Sequence, residues 1–250
     1  DKSVAEILIR IIFSILVDAD GEDTAKYEAF VNGWQERKPA PDLCPDKDLS
    51  VLLKNINNLS EKVPNGPTKD ARKNVLRCSL AAADLPPGLF SLRVPTGGGK
   101  TLSGLAFALK HAAKYQKDRI IYVAPYLTIL EQTASVIRSA LNRQDDWDYV
   151  LEHHSLAELE KISEEISFKG SRGERWDAPV VVSSNVQLWE SLFSNKPGKC
   201  RKVHNLAKSV ILLDECQSIP PSLFVPVCSM IQSLVEHFQC TVVLCTATQP

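Results

Sequence analysis

The sequence is short of most features that would place it outside ordinary folded chains. It has no uninterrupted apolar run longer than five residues, whereas a span of the hydrocarbon layer needs about 20. It lacks an excess of either charge: 29 Lys and Arg stand against 30 Asp and Glu, for a net charge of -1. That balance excludes a global basic field, so any nucleic acid has to be held locally. The cysteines, Cys44, Cys78, Cys200, Cys216, Cys228, Cys240 and Cys245, are seven, an odd number, and contain no C-x-x-C pair. A disulfide framework and a zinc ribbon are both disfavoured, and the thiols read as small buried hydrophobes in a reducing cytosol. No basic-then-apolar leader precedes the first residues, so the expectation is a cytoplasmic piece of something longer. What is present is the composition of a globular chain, 44% hydrophobic and 24% charged over 250 residues.

The chain divides into three stretches. From Ser3 to Val17 eleven of fifteen residues are apolar, and the run ends in Asp18-Ala19-Asp20-Gly21. That density predicts a helix buried on most sides, with partners this chain need not contain. Residues 35–68 carry Pro39, Pro41, Pro45, Pro64 and Pro67 around one apolar stretch, Leu49 to Leu59, and read as a linker with one helix. From Lys69 onward, apolar runs at Leu89 to Val94, Ile120 to Ala124, Val180 to Val182, Val210 to Leu213 and Val242 to Cys245 alternate with longer segments. Helices are expected at Leu102 to Tyr115, Thr128 to Leu141, Leu156 to Ile166 and Pro221 to Phe238, with a loop at Lys169 to Trp176. This is the α/β pattern of a parallel sheet buried on both faces. The domain boundaries that follow are 1–34, 35–68 and 69–250.

Each apolar run is followed by small or polar residues, and in open parallel sheets ligands bind off the carboxyl ends of the strands. Pro95-Thr96-Gly97-Gly98-Gly99-Lys100-Thr101 follows a strand and opens a helix, the context of a phosphate-binding loop. Glycines let backbone N–H groups turn inward around a phosphate, and the helix N-terminus adds its positive end. Thr96, Gly97, Gly98, Gly99, Lys100 and Thr101 are therefore the candidates for holding ATP. Lys100 would reach the β and γ phosphates and Thr101 would ligate Mg²⁺. The strict G-x-x-x-x-G-K-[ST] pattern fails at its first place, Val94, which is the P-T-G-x-G-K-T variant.

Asp214-Glu215-Cys216-Gln217 follows Val210 to Leu213. Carboxylates at the end of a buried strand are costly without a cation, which Mg²⁺ supplies. Asp214 is then a metal ligand, directly or through water, and Glu215 orients or deprotonates the attacking water. The Thr246 and Thr248 hydroxyls are candidates for contact with Gln217 or Glu215, reporting nucleotide state. The run Lys196, Lys199, Arg201, Lys202, Lys208 reads as a solvated loop or a phosphate contact. His153-His154 has no acid or cysteine at ligand spacing and reads as a strand-end or surface pair.

These residues match superfamily 2 helicases: Pro95 to Thr101 as motif I, Val123 to Tyr126 as motif Ia, Asp214 to Gln217 as motif II and Thr246 to Thr248 as motif III. Ser183, Asn185 and Gln187 fall where motif Ib of helicases lies, a resemblance that implies sequence-neutral contacts to single-stranded DNA from them and, by the same argument, from Tyr126 and Thr128, for which ordinary turn and cap roles are the alternative. Gly88 to Leu92, Leu105 to Ala112 and Phe13 to Asp20 resemble the CRISPR-associated helicase-nuclease family of type I interference systems. The resemblance implies an HD nuclease domain followed by two RecA-like domains, of which this chain would hold the end of the first and the whole of the second. It implies 3′ to 5′ unwinding of target DNA powered by ATP and Mg²⁺, with an RNA-guided surveillance complex as partner. The HD domain of such a protein cuts with transition metals. No His-Asp dipeptide occurs here, so only a terminal HD acid, Asp20 or Asp18, could be present. The second RecA-like domain, with its arginine finger, would follow Pro250. Rival readings are a general superfamily 2 helicase and a non-hydrolysing ATP-binding docking module.

Overall fold

The computed structural model describes residues 2–35, 38–153 and 174–247. Six strands, β1 (Leu89–Arg93), β2 (Arg119–Ala124), β3 (Val150–His153), β4 (Val180–Ser184), β5 (Ser209–Leu213) and β6 (Thr241–Thr246), form one sheet. Their order is β1-β6-β5-β2-β4-β3, and every pairing is parallel. The apolar runs are uninterrupted because helices cover both faces of the sheet. Ile120, Tyr122 and Ala124 of β2 enter one core together with Val210 and Leu212 of β5. The alternate residues Ile121, Val123, Ile211 and Leu213 enter the other. β1, at the edge, departs from the expected two-sided burial, with Leu89 60% exposed. β3 is the other edge. Its four residues include Glu152 and a histidine, too little apolar sequence to announce a strand.

The first face is covered by α2 (Pro45–Glu61), α3 (Pro67–Ala82), α4 (Lys100–Tyr115) and α5 (Leu127–Ala140). On the second face lie α1 (Lys2–Asn32), α6 (Asn185–Phe193), the single turn α7 (Pro197–Cys200) and α8 (Pro221–His237). The helix expected at Leu156 to Ile166 and most of the loop before Trp176 lie outside the described residues. α3 and α6 were not legible as helices.

Two expectations about the N-terminal third are corrected. The helix does not end at Asp18-Ala19-Asp20-Gly21 but runs to Asn32. Gly21 is not a terminator: a Cβ there would lie 2.8 Å from Cζ of Arg201, so the glycine admits a guanidinium against the helix. Within this chain α1 buries a single face. Ile7, Ile11, Ser14 and Asp18 form one buried stripe, while Ile9, Ile12 and Leu16 are exposed. Burying Ile7 and Ile11 stabilises the docking by about 2 kcal/mol each.

Residues 45–61 are not a linker helix either. Leu52 is fully buried in the first core, where α2 packs on α4. Asp48 is buried too, and the Tyr149 hydroxyl donates to it. Arg143 lies 3.3 Å from the same carboxylate, and the Cys44 N–H donates to the Tyr149 oxygen at 2.8 Å. The prolines that suggest a linker serve as helix starts: Pro45 and Pro67 stand in the first turns of α2 and α3, where a missing N–H costs nothing.

Candidate functional site

Strand order decides what meets at the carboxyl rim. β6 lies between β1 and β5, so the turn after β1, the acids after β5 and the tripeptide after β6 are neighbours. After β1 the chain makes a tight turn, with Gly98 N–H donating to Pro95 O at 2.9 Å. Gly97 and Gly99 have φ of 79° and 82°, the left-handed region that glycine enters without Cβ strain. Gly98 is required for a different reason, because a Cβ there would lie 2.4 Å from Cγ1 of Val94. Gly99 then caps α4, and Lys100 is the first residue of the helix.

The Lys100 ammonium sits between the two acids, 2.6 Å from Asp214 Oδ1 and 2.7 Å from Glu215 Oε1. Burial disfavours the charge on Lys100, but hydrogen bonds and attraction from both carboxylates outweigh it and raise its pKa. Burial likewise opposes ionisation of Glu215. Hydrogen bonds from Lys100 and Gln217 prevail, aided by the Ala247 backbone, and its pKa is lowered. Gln217 Nε2 donates to Glu215 Oε2 at 2.5 Å. Glu215 itself has φ of 48°, a left-handed conformation that is uncommon outside glycine. The Glu215 N–H donates back to Asp214 Oδ1 at 2.9 Å. One ammonium and two carboxylates leave the cluster one negative charge in excess. It opens onto a cleft of about 660 Å³, walled by Ile56, Arg72 and Leu76 on one side and Ile129 and Thr133 on the other.

The donor set fits a magnesium polyphosphate. Backbone amides stand at a helix start, the Lys100 ammonium is held by two acids, Thr101 follows it, and Asp214 is 5% exposed at a strand end. A hard divalent cation takes carboxylate and hydroxyl oxygens of this kind.

Thr96, Gly97, Gly98, Gly99, Lys100, Thr101, Asp214, Glu215 and Gln217 thus lie together as the spacing implied. Thr246 lies beside the root of the turn, its carbonyl accepting from Val94 N–H at 3.1 Å. Contact between the tripeptide and Glu215 runs through the Ala247 backbone, and Thr248 lies outside the described residues. Two residues were missed. Tyr122 OH donates to Asp214 Oδ2 at 2.5 Å, and Arg72 Nε donates to Gly97 O at 2.8 Å. A tyrosine within an apolar strand was a readable signal, because a buried phenol needs a partner. Arg72, on a helix with no sequence link to the turn, had none.

The expected DNA contacts divide. Tyr126 and Thr128 are exposed at the start of α5. Ser183 is fully buried, its hydroxyl donating to His153 O at 2.8 Å, so it ties β4 to β3 and offers nothing to a strand. Asn185 and Gln187 are buried as well; Asn185 Nδ2 donates to Ser218 Oγ at 3.1 Å. His153 is buried, accepting from Trp176 Nε1 at 3.0 Å, while His154 is outside the described residues. Asp20 is exposed, and Asp18 is held by Arg175 and Arg201 at 2.9 and 2.7 Å. Among the described residues no group of three or more metal-ligating side chains exists, so within them neither acid has companions for a metal. Arg201 therefore belongs to no solvated loop, and Lys199 pairs with Glu190 at 2.7 Å.

A parallel sheet with this strand order, a glycine-rich turn into a helix after β1 and an acid pair after β5 define a P-loop domain of RecA-like fold. The family model described as DEAD/DEAH box helicase matches residues 71–250, and the chain belongs to that family. It is 32% identical over 186 residues to the CRISPR-associated nuclease/helicase Cas3 of Haloferax volcanii, a match covering 67% of this chain and 20% of that protein. Solved structures of T. fusca Cas3 are similar in fold. The one with AMPPNP superposes with a TM-score of 0.56 at 20% identity, covering 74% of this chain and 22% of the other. The structure described simply as T. fusca Cas3 has the same TM-score at 21% identity, covering 74% and 23%. The chain thus spans about a fifth of the length of the relatives it matches. No described helix is long and apolar enough to cross a membrane.

Proposed function

We propose that this chain is the ATP- and Mg²⁺-binding first RecA-like unit of a cytoplasmic helicase-nuclease acting in type I CRISPR interference. The observation that carries the reading is the convergence of Lys100, Asp214 and Glu215 at the mouth of the cleft beside the Gly97 to Thr101 turn. Similarity to the Haloferax protein over 186 residues favours the CRISPR branch over other helicases.

Bound ATP–Mg²⁺ would supply a γ-phosphoryl group open to attack by water. The turn amides and Lys100 would grip the phosphates, Thr101 and Asp214 would hold the metal, and Glu215 would orient the attacking water and take its proton. Gln217 fixes Oε2 of Glu215, and Oε1, held here by Lys100, would be freed for the water when the lysine turns to the phosphates. Tyr126 and Thr128 stand exposed on the rim where single-stranded DNA would pass. An RNA-guided surveillance complex, an HD nuclease domain with its transition metals and a second RecA-like domain are the partners this reading assigns to the whole protein.

The test is nucleotide binding to this chain and to Lys100→Ala with Mg²⁺ present. Equal affinity would overturn the assignment. The reading also holds that these 250 residues alone hydrolyse ATP slowly, because a transferring phosphoryl group needs an arginine from the second domain. Brisk DNA-stimulated turnover by this chain would refute that part.

A further inference from the structure

Tyr122 stands in the middle of a buried strand, 2% exposed, with its ring among the apolar residues of the first core. Packing alone does not call for its hydroxyl, because a phenol taken out of water loses hydration that a plain ring would not. The partner of that hydroxyl is informative: it donates to Asp214 Oδ2 at 2.5 Å.

Strand register explains the reach. Tyr122 pairs with Leu212 of β5, and Asp214 N–H closes the ladder onto Val123 O at 2.7 Å. Asp214 lies two positions past Leu212 and so, by the alternation of strand side chains, on the same face as the Tyr122 ring. A phenol leaning along the strand reaches that carboxylate, and a valine or leucine in its place has no donor to offer. Asp214 Oδ1 already accepts from Lys100 and from the Glu215 amide. Tyr122 supplies a donor at Oδ2 and so holds the other edge of the carboxylate plane.

We propose that Tyr122 is a positioning residue for magnesium: its hydroxyl fixes the Asp214 carboxylate in the orientation that receives the ion. This rests on the reading of Asp214 and Thr101 as the magnesium ligands. Partners of metal ligands orient them, and losing such a partner costs about 10- to 100-fold in metal affinity.

The experiment compares nucleotide affinity with and without Mg²⁺ in the unaltered chain and in Tyr122→Phe, which deletes only the oxygen. Magnesium is expected to strengthen binding in the unaltered chain. In Tyr122→Phe that enhancement falls about tenfold, with magnesium-free affinity within about twofold. A hydroxyl that merely stabilised the fold would lower the melting temperature and leave the magnesium enhancement unchanged, which would overturn the proposal. In an Asp214→Asn background, Tyr122→Phe is expected to cause no further loss of enhancement; a full additional loss would also overturn it. Nucleotide binding that ignores Mg²⁺ in the unaltered chain defeats the underlying site reading and this inference together. Normal enhancement that Tyr122→Phe leaves intact defeats the inference alone. Should Tyr122→Phe not fold, unaltered chain labelled at the tyrosine ring carbon next to oxygen serves instead. Adding Mg²⁺ to its nucleotide complex should shift one buried tyrosine signal, and Asp214→Asn should abolish the shift. No shift overturns the proposal.

Discussion

Two buried carboxylates in this chain meet cations at nearly the same distances and do different things. Asp18 of α1 is 5% exposed and lies 2.7 Å from Arg201 and 2.9 Å from Arg175. Asp214 of the rim is also 5% exposed and lies 2.6 Å from Lys100. Around Asp18 the arginines are engaged on further sides: Arg201 also meets Glu174 and Arg175 also meets Glu22, so each planar fork joins Asp18 to a second acid. Around Asp214 there is one flexible ammonium, two carboxylates and an open cleft. A closed cluster of arginines and acids is a tie between elements. An acid pair held by a single lysine at the end of a glycine turn can exchange that lysine for a ligand.

Breaking the first cluster should have the largest effect on stability and none on binding. Asp18→Ala removes the shared acceptor of two guanidinium groups, and the expected loss is about 3 kcal/mol, the lower end for a broken buried pair because Glu174 and Glu22 remain. Chemical denaturation reads it. Nucleotide affinity should stay within about twofold, and its collapse in a folded Asp18→Ala chain would show that the two clusters are not independent. The reciprocal change, Lys100→Ala, should weaken nucleotide binding about 100-fold, equivalent to about 2.7 kcal/mol, in an equilibrium titration. Its effect on unfolding should be smaller than that of Asp18→Ala, since Asp214 keeps Tyr122 and the Glu215 amide. Next comes Arg72→Ala. Its one bond to Gly97 O shapes the turn from an exposed helix surface, and about 1 kcal/mol, or a fivefold loss of nucleotide affinity, is expected with an unchanged melting temperature.

The same contrast explains what could be read from the sequence. The rim site was legible because its chemistry demands residue types at fixed places: glycines where φ is positive, a lysine at a helix start, acids at a strand end. The central strands were legible because two-sided burial writes itself as Val210-Ile211-Leu212-Leu213 with no polar break. What was not legible depends on pairing across long separations. Asp18 meets Arg201 across 183 positions, and nothing near Gly21 says that it admits a guanidinium rather than ending a helix. α2 looked like a linker because its prolines and asparagines flank a single buried leucine, and only the fold puts Leu52 and Asp48 inside. Ser183 read as a polar rim residue, yet its hydroxyl joins two strands. Tyr122 and Arg72 were missed for the same reason, since each acts on a motif that lies elsewhere in the chain.

Acid should sharpen the comparison further, with the smallest effect of the set. His204 lies in the first cluster, its Nδ1 2.9 Å from Ser14 Oγ and its Nε2 3.6 Å from Asp18. Burial lowers its pKa below the usual value of 6.5; Asp18 opposes the shift, while Arg119 and Arg175 add to it. Well above pH 6.5 the ring is neutral whether the chain is folded or not. As the pH falls below that value, the unfolded chain takes up a proton that the folded chain resists, so stability is lost down to the folded pKa. His111 shifts the same way, again mainly through burial, and contributes in the same window. At the rim the signs are opposite: Glu215 is lowered and Lys100 raised, so both keep their charges from pH 5.5 to 7.5. Denaturant midpoints should therefore fall between pH 7.5 and 5.5. His204→Asn should remove part of that fall, leaving the share due to His111. Magnesium-free nucleotide affinity should change less than stability over the same range. A midpoint that holds steady from pH 7.5 to 5.5 would mean that neither histidine is kept neutral by the fold. The first cluster would then be as indifferent to acid as the rim.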